Sequence, residues 1–244
     1  MGRLARKVAL ITGGARGLGA ADAIALAREG AQVIVTDVLD GTPVAEEVGG
    51  LYLRHDVTDE ERWVAVIEAV RERYGRLDVL VNNAGIMISG NAETTELADL
   101  RKVFAVAVEG TFLGIKHALP LLKEGEGGSI INISSITALR HFPDTLAYAS
   151  AKGAIRSMTK AVTGYCKTQG YNVRCNSVHP SGIDTPMIHQ RMAEAAGKSG
   201  TAPAVSPAMG RPEDVAHMVT FLASDESRYV NGAELIIDDG YCAV

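Results

Sequence analysis

The sequence predicts an α/β fold: a doubly wound parallel sheet of seven strands with helices on both faces. Two observations predict it. Short β-branched runs alternate with longer helical patterns along all 244 residues, the rhythm of strand–helix–strand crossovers. The runs are also apolar throughout rather than alternating, as strands are when both sheet faces are covered.

Taken in order, residues 7–12 (KVALIT) form the first strand and end in a glycine-rich turn. Residues 18–29 are Ala-rich and helical, and Gly30 closes that helix as its C-terminal cap. Strands follow at 32–36 (QVIVT), 51–54, 77–81 (LDVLV), 129–133 (SIINI), 172–178 and 234–237. Helices are expected at 60–74, 96–122, 147–169 and 212–223. No repeat, low-complexity tract or linker interrupts residues 1–244, which therefore read as a single domain. Residues 187–209 break the rhythm, being rich in Ala, Gly, Ser and Pro. An insertion of that length in a compact domain reads as a substrate lid or mobile loop.

The net charge of −5 offers no basic footprint for nucleic acid or an anionic membrane. Cys166, Cys175 and Cys242 match no metal or redox spacing, so no metal site is expected, and an odd, sparse count fits a reducing cytoplasm. No apolar run reaches 18 residues, so no membrane span is expected. The first strand begins too early for a signal peptide. Arg6 spoils a myristoylation motif at Met1-Gly2. The glycosylation triplet Asn132-Ile133-Ser134 falls in a buried strand rather than a surface loop.

Strand one runs into Thr12-Gly13-Gly14-Ala15-Arg16-Gly17-Leu18-Gly19. Glycines let the backbone approach a pyrophosphate, and the helix that follows aims its free N–H groups at the same anion. Asp37, followed by Val38, ends strand two about 20 residues later. A carboxylate there accepts hydrogen bonds from both adenosine ribose hydroxyls and repels a 2′-phosphate, which favours NAD over NADP. Arg16 is the counter-signal, since a base in the loop suits a 2′-phosphate; Asp37 is given the greater weight. Like charges 4 Å apart cost about 1 kcal/mol even in bulk water. Asp56-Val57 and Asn82-Asn83-Ala84-Gly85 follow strands three and four, at the strand ends where open α/β sheets bind ligands. Each of these is equally readable as turn chemistry.

Tyr148 and Lys152 stand at i and i+4 on one helix and share a face. An ammonium favours the phenolate. Moving a Tyr from its usual value near 10 toward 7 needs about 4 kcal/mol. The phenolate would take an alcohol proton as hydride leaves the carbon for NAD. Alone, Tyr-x3-Lys is commonly a solvated helix face. Ser135, at the end of strand five, adds a donor for the developing oxyanion.

Together these residues resemble the short-chain dehydrogenase/reductase family over essentially the whole chain. The resemblance is carried by the Thr12–Gly19 loop, Asp37, Asn82 to Gly85, Ser135, Tyr148, Lys152, and Asn176-Ser177-Val178-His179-Pro180. Ala208-Met209-Gly210-Arg211-Pro212-Glu213-Asp214 and Gly232-Ala233-Glu234 extend it. It implies a Rossmann-like fold, Tyr148 as general acid/base, Lys152 holding the nicotinamide ribose, and Ser135 positioning the substrate. It further implies Asp56, Val57 and Asn83 near adenosine, and Ile183 and Thr185 near the carboxamide and pyrophosphate. A homotetramer or dimer built on the helices at 96–122 and 147–169 is also implied.

Three positions depart from the family pattern. Ala107 stands where the family has an Asn that links the Lys to solvent. Pro180-Ser181 replaces Pro-Gly, so Ser181 has to adopt a conformation that Gly takes freely. Asp238-Asp239-Gly240 replaces Asp-Gly-Gly. Within the family the chain is most similar to bacterial cyclic-alcohol dehydrogenases acting on cyclohexanol- or cyclopentanol-like rings, and nearly as similar to 3α/20β-type hydroxysteroid dehydrogenases. The implied substrate wall runs from Ile136 through His141 and Phe142 to Pro143, with Met87, Ile88 and Leu139, and with Met187, Ile188 and Met192 from the lid; it favours an apolar small molecule. Two alternatives remain open: a 3-oxoacyl-thioester reductase, which Asp37 and the negative charge disfavour, and a nucleotide-binding protein whose catalysis is impaired by Ala107.

Overall fold

A computed structural model describes residues 2–140, 142–199 and 209–243. Seven strands form one Rossmann-like parallel sheet: β1 Val8–Thr12, β2 Gln32–Asp37, β3 Leu51–Arg54, β4 Val79–Asn82, β5 Gly128–Ile133, β6 Val173–Pro180 and β7 Glu234–Ile237. Their order is β3-β2-β1-β4-β5-β6-β7. The chain builds outward from β1 to β3, then returns to place β4 on the other side of β1. That reversal leaves a crevice at the carboxyl ends of β1 and β4, where doubly wound sheets take ligands.

The period of two along each strand divides the apolar side chains between two cores. Ala9, Ile11, Val33, Val35, Val79 and Val81 face helices α1 (Gly17–Arg28) and α8 (Pro212–Ala223). Val8, Leu10, Ile34, Leu80 and Ile130 face α3 (Glu60–Tyr74) and α5 (Gly110–Leu122). Each fully buried aliphatic side chain contributes about 1.5–3 kcal/mol.

Helix α3 shows how local signals agree with that packing. Asp59 caps its first turn by accepting from Arg62 N, and Gly75 ends it in the left-handed region at φ 69. Glu60 and Glu61 stand at the positive end of its dipole, Arg71 and Arg73 at the negative end. Trp63, Val66, Ile67 and Val70 fall at the i, i+3, i+4, i+7 spacing that buries one face.

Several elements differ from the sequence expectations. A short helix α2 (Thr42–Glu47) was not anticipated; Pro43 starts it and Gly49 follows it. Of the segment expected as an insertion, residues 187–199 belong to helix α7 (Pro186–Ser199), and 200–208 lie outside the described residues. The helix expected at 96–122 is divided into α4 (Leu97–Phe104), a π turn (Ala105–Glu109) and α5. This 26-residue stretch is long and apolar enough to span a membrane by composition alone. Half of its most apolar window is buried inside the protein, against α3 and α6 (Leu146–Thr168). Ser181 does not adopt positive φ, so that replacement of Gly costs no backbone strain; Asp239 does, at φ 50.

Asp78 locks the amino ends of β1 and β4 together. Its carboxylate accepts from Val8 N at 2.8 Å and from Arg76 at 2.9 and 2.6 Å, and it is 3% exposed. Asp78→Ala leaves a buried N–H unpaired, and the expected loss is about 2 kcal/mol. Thermal denaturation should register a Tm lower by roughly 4–8 °C; an unchanged Tm would remove Asp78 from this role.

Candidate active site

One cavity of about 1120 Å³ opens at the carboxyl edge of the sheet. At one end, β1 turns through the glycine loop into α1. Thr12 Oγ1 accepts from Asn83 N and Ala84 N, both at 3.1 Å, while Asn83 Nδ2 donates to the carbonyls of Thr12 and Gly13 at 2.9 and 3.0 Å. The loop is thereby stapled to the end of β4. Gly13 has φ 65, and a Cβ on Gly19 would lie 2.4 Å from Gly13 O, so both positions require glycine. No side chain caps the amino end of α1, which leaves its first-turn N–H groups directed at the crevice. Gly13, Arg16, Gly17 and Leu18 line the cavity; Gly19 sits behind them as packing.

Asp37 ends β2 on the same wall. One carboxylate oxygen accepts from Ala15 N at 3.0 Å and the other from Leu39 N at 2.9 Å. Each oxygen keeps a second lone pair. Val38, Asp56, Val57, Asn83, Ala84 and Gly85 complete this end. Arg16 is exposed and makes no ion pair among the described residues. Asp56 closes its own turn through Thr58, and Val57 O receives Trp63 Nε1 at 2.9 Å. His55, which sequence reasoning passed over, also lines the cavity. Its ring meets Trp63 edge-on at 4.3 Å, and burial pushes the imidazole down to about 4, so it is neutral.

At the other end, β5 and α6 bring Ser135, Tyr148 and Lys152 onto one wall, all nearly buried. Ser134 Oγ donates to Lys152 O at 2.9 Å, and Lys152 Nζ donates to Ile133 O at 2.6 Å. The ammonium lies 5.5 Å from the centre of the Tyr148 ring. His179 Nδ1 meets Ser135 O at 3.1 Å and steadies the strand end.

The electrostatics differ from the sequence expectation. Burial pushes the Tyr148 phenol up to about 12, and the groups pulling it down are the Ser135 hydroxyl and the Arg191 guanidinium. Burial pushes Lys152 down to about 8. Lys152 therefore loses its charge before Tyr148 ionises and does not supply the expected lowering of the phenol.

Ala107 lies in the π turn, fully buried against Val103, Ala147, Ala151 and Ile155. Among the described residues Lys152 Nζ donates to Ile133 O and to no group of the π turn; Val106, not Ala107, reaches the cavity. Pro180, Ile183 and Thr185 line the cavity beyond β6. Of the expected substrate wall, Met87, Ile136, Phe142, Met187, Ile188 and Met192 line it, whereas Ile88 packs toward Val103 and Ala147 instead. His141 lies outside the described residues. Tyr241, Asp144 and Arg191 also line the wall and were not singled out in the sequence. Tyr241 returns from the C-terminal segment to stack on Phe142 at 6.1 Å, and Asp144 pairs with Arg191 at 2.9 Å. These contacts join segments about 50 to 100 residues apart (47 for Asp144–Arg191), and no local sequence signal announces them.

This arrangement agrees with comparisons to known proteins. Residues 13–242 match the profile of a family described as "Enoyl-(Acyl carrier protein) reductase". The chain is 41% identical to a trans-4-hydroxycyclohexanecarboxylate dehydrogenase of Sinomonas cyclohexanicum, over 99% of this chain and 95% of that one. It is 40% identical to a 3-beta-hydroxysteroid dehydrogenase of Comamonas testosteroni, covering 97% and 96%. It is 37% identical to an NADP-dependent (R)-specific alcohol dehydrogenase of Lentilactobacillus kefiri, covering 99% and 98%. Among solved structures, levodione reductase superposes with a TM-score of 0.91 at 32% identity, covering 99% of each chain. Full-length identity near 40%, a close structural superposition and a glycine loop at the switch point lead to one conclusion: the chain belongs to the short-chain dehydrogenase/reductase family of oxidoreductases.

Proposed function

We propose that this protein oxidises secondary alcohols borne on apolar rings to ketones with NAD, and reduces the ketones in the reverse direction. The observation that carries the reading is the convergence of Ser135, Tyr148 and Lys152 on the cavity that also holds the glycine loop and Asp37. A nicotinamide cofactor, when bound, supplies the hydride acceptor. The residues present fit such a group: Gly13 leaves the loop backbone bare, α1 offers an uncapped amino end, and Asp37 retains lone pairs for ribose hydroxyls. Thr185 and the backbone of Ile183 suit the carboxamide end.

In this reading the Ser135 hydroxyl donates to the substrate oxygen and holds it beside Tyr148. The Tyr148 phenolate accepts the alcohol proton; in reduction the phenol returns it. Lys152 binds ribose hydroxyls and exchanges protons with Tyr148. Its Nζ keeps two donors beyond the Ile133 carbonyl. Met87, Ile136, Phe142 and Met187 exclude water from the reacting carbon. Relatives named for a hydroxycyclohexane acid and a 3β-hydroxysteroid share a ring-borne secondary alcohol, and this wall suits that part. The segment at 187–209 serves as the lid, and the outward faces of α4, α5 and α6 serve as the oligomer contact.

Because the phenol sits near 12, the base form is scarce at neutral pH and increases as pH rises. Initial rates of NADH formation from cyclohexanol should therefore give a kcat/KM that climbs between pH 7 and 10, while ketone reduction, which needs the phenol, does not climb. Tyr148→Phe should lower both by a factor on the order of 10² to 10⁴ and spare cofactor binding. Retained turnover in that variant would move the chemistry elsewhere.

Asp37 decides the cofactor in this reading, against the precedent of the NADP-dependent relative. Calorimetry should find NAD bound at least tenfold more tightly than NADP. Asp37→Ser should narrow that ratio by about tenfold or more, the worth of one charge-assisted hydrogen bond. Equal affinities in the unaltered protein would remove the Asp37 argument.

A further inference from the structure

We propose that Arg191 binds an anionic group on the substrate, so that the site selects ring alcohols carrying a carboxylate over their neutral counterparts. The inference rests on the alcohol-dehydrogenase reading and deepens it by naming the substrate class.

The ring end of the cavity is apolar, walled by Met87, Ile136, Phe142 and Met187 and closed by Tyr241 stacked on Phe142. Arg191, from α7, is the cation placed on that wall. Its side chain is 24% exposed, while that of its partner Asp144 is 52% exposed. The pair is lopsided. A single nitrogen, Nη2, meets both Asp144 oxygens, at 2.9 and 3.1 Å. Nε and Nη1 make no hydrogen bond among the described residues.

A guanidinium carries five N–H donors in a planar fork, and the edge formed by Nε and one Nη matches the two oxygens of a carboxylate. In Arg191 the Nε and Nη1 donors are unpaired among the described residues, and either can join Nη2 in gripping an incoming carboxylate; the group is largely withdrawn from water, where an unpaired donor is costly. The site therefore gains from an incoming anion more than a solvated surface arginine would. Asp144, being more exposed, competes weakly. Two further carboxylates on the cavity wall are engaged elsewhere: Asp238 accepts from Gly240 N and Cys242 N, and Asp214 accepts from Arg211 N. Arg191 and Tyr148 line the same cavity, so a molecule presenting its hydroxyl to Tyr148 can present a second group to Arg191. A neutral ring forms no ion pair with this cation.

The test compares 4-hydroxycyclohexanecarboxylate with its methyl ester, using the full chain, NAD and initial rates. The unaltered protein should prefer the acid by about tenfold or more in kcat/KM. Arg191→Gln should bring that acid-to-ester ratio to near one, chiefly through KM. Arg191→Lys should restore part of it, and Asp144→Asn should leave it intact or raise it. Acid and ester used equally well by the unaltered protein, or a loss in Arg191→Gln that falls equally on both, would overturn the proposal and leave Arg191 as a latch between α7 and the loop before α6. Should neither alcohol be oxidised, the dehydrogenase reading itself fails. Calorimetry with cyclohexanecarboxylate then decides the Arg191 proposal separately: binding lost in Arg191→Gln supports it, and binding that is absent or unchanged overturns it.

Discussion

The site depends on a double clasp between the end of β5 and helix α6. Ser134 Oγ donates to the Lys152 carbonyl, and Lys152 Nζ donates to the Ile133 carbonyl. Both bonds are buried, and a buried polar group left unpaired costs about 1–3 kcal/mol. The clasp therefore fixes the register of α6 against the sheet. Tyr148 lies one turn before Lys152 and Ser135 lies one residue after Ser134, so one constraint orders all three.

A second constraint joins this wall to the other half of the cavity. Thr12 and Asn83 hold the glycine loop against the end of β4, beside the strand that ends in the clasp. Parallel strands in a fixed register carry that alignment across the crevice. Disturbing either staple moves one half of the site relative to the other, and proximity effects in catalysis are sensitive to shifts of about 1 Å.

The fold was legible because its signals are local. Apolar runs gave every strand to within about two residues, and α3 occupies the span expected at 60–74, where its cap, charges and apolar spacing agree. The glycine loop and strand-end carboxylate were legible for the same reason. What was not legible depends on distant contacts. Asp144–Arg191 and Phe142–Tyr241 form only once α7 and the C-terminal segment return to the site. The π turn at Ala105–Glu109 leaves no periodic signature strong enough to divide an apolar helix. The Tyr148 phenol was expected to fall because its cationic neighbour was visible and its burial was not. Desolvation, a property of the whole fold, outweighs that neighbour.

The clasp is tested most directly at Ser134, which adjoins the chemical groups without being one of them. Ser134→Ala removes one of its two bonds and leaves Ser135, Tyr148 and Lys152 in place. The measurement is the pH dependence of kcat/KM for cyclohexanol oxidation, with NAD affinity measured in parallel. The account predicts a profile displaced to higher pH and a kcat lower by about tenfold, the worth of one buried hydrogen bond, with a smaller loss of NAD affinity because Lys152 also meets the ribose. A profile and kcat identical to those of the unaltered protein would contradict it.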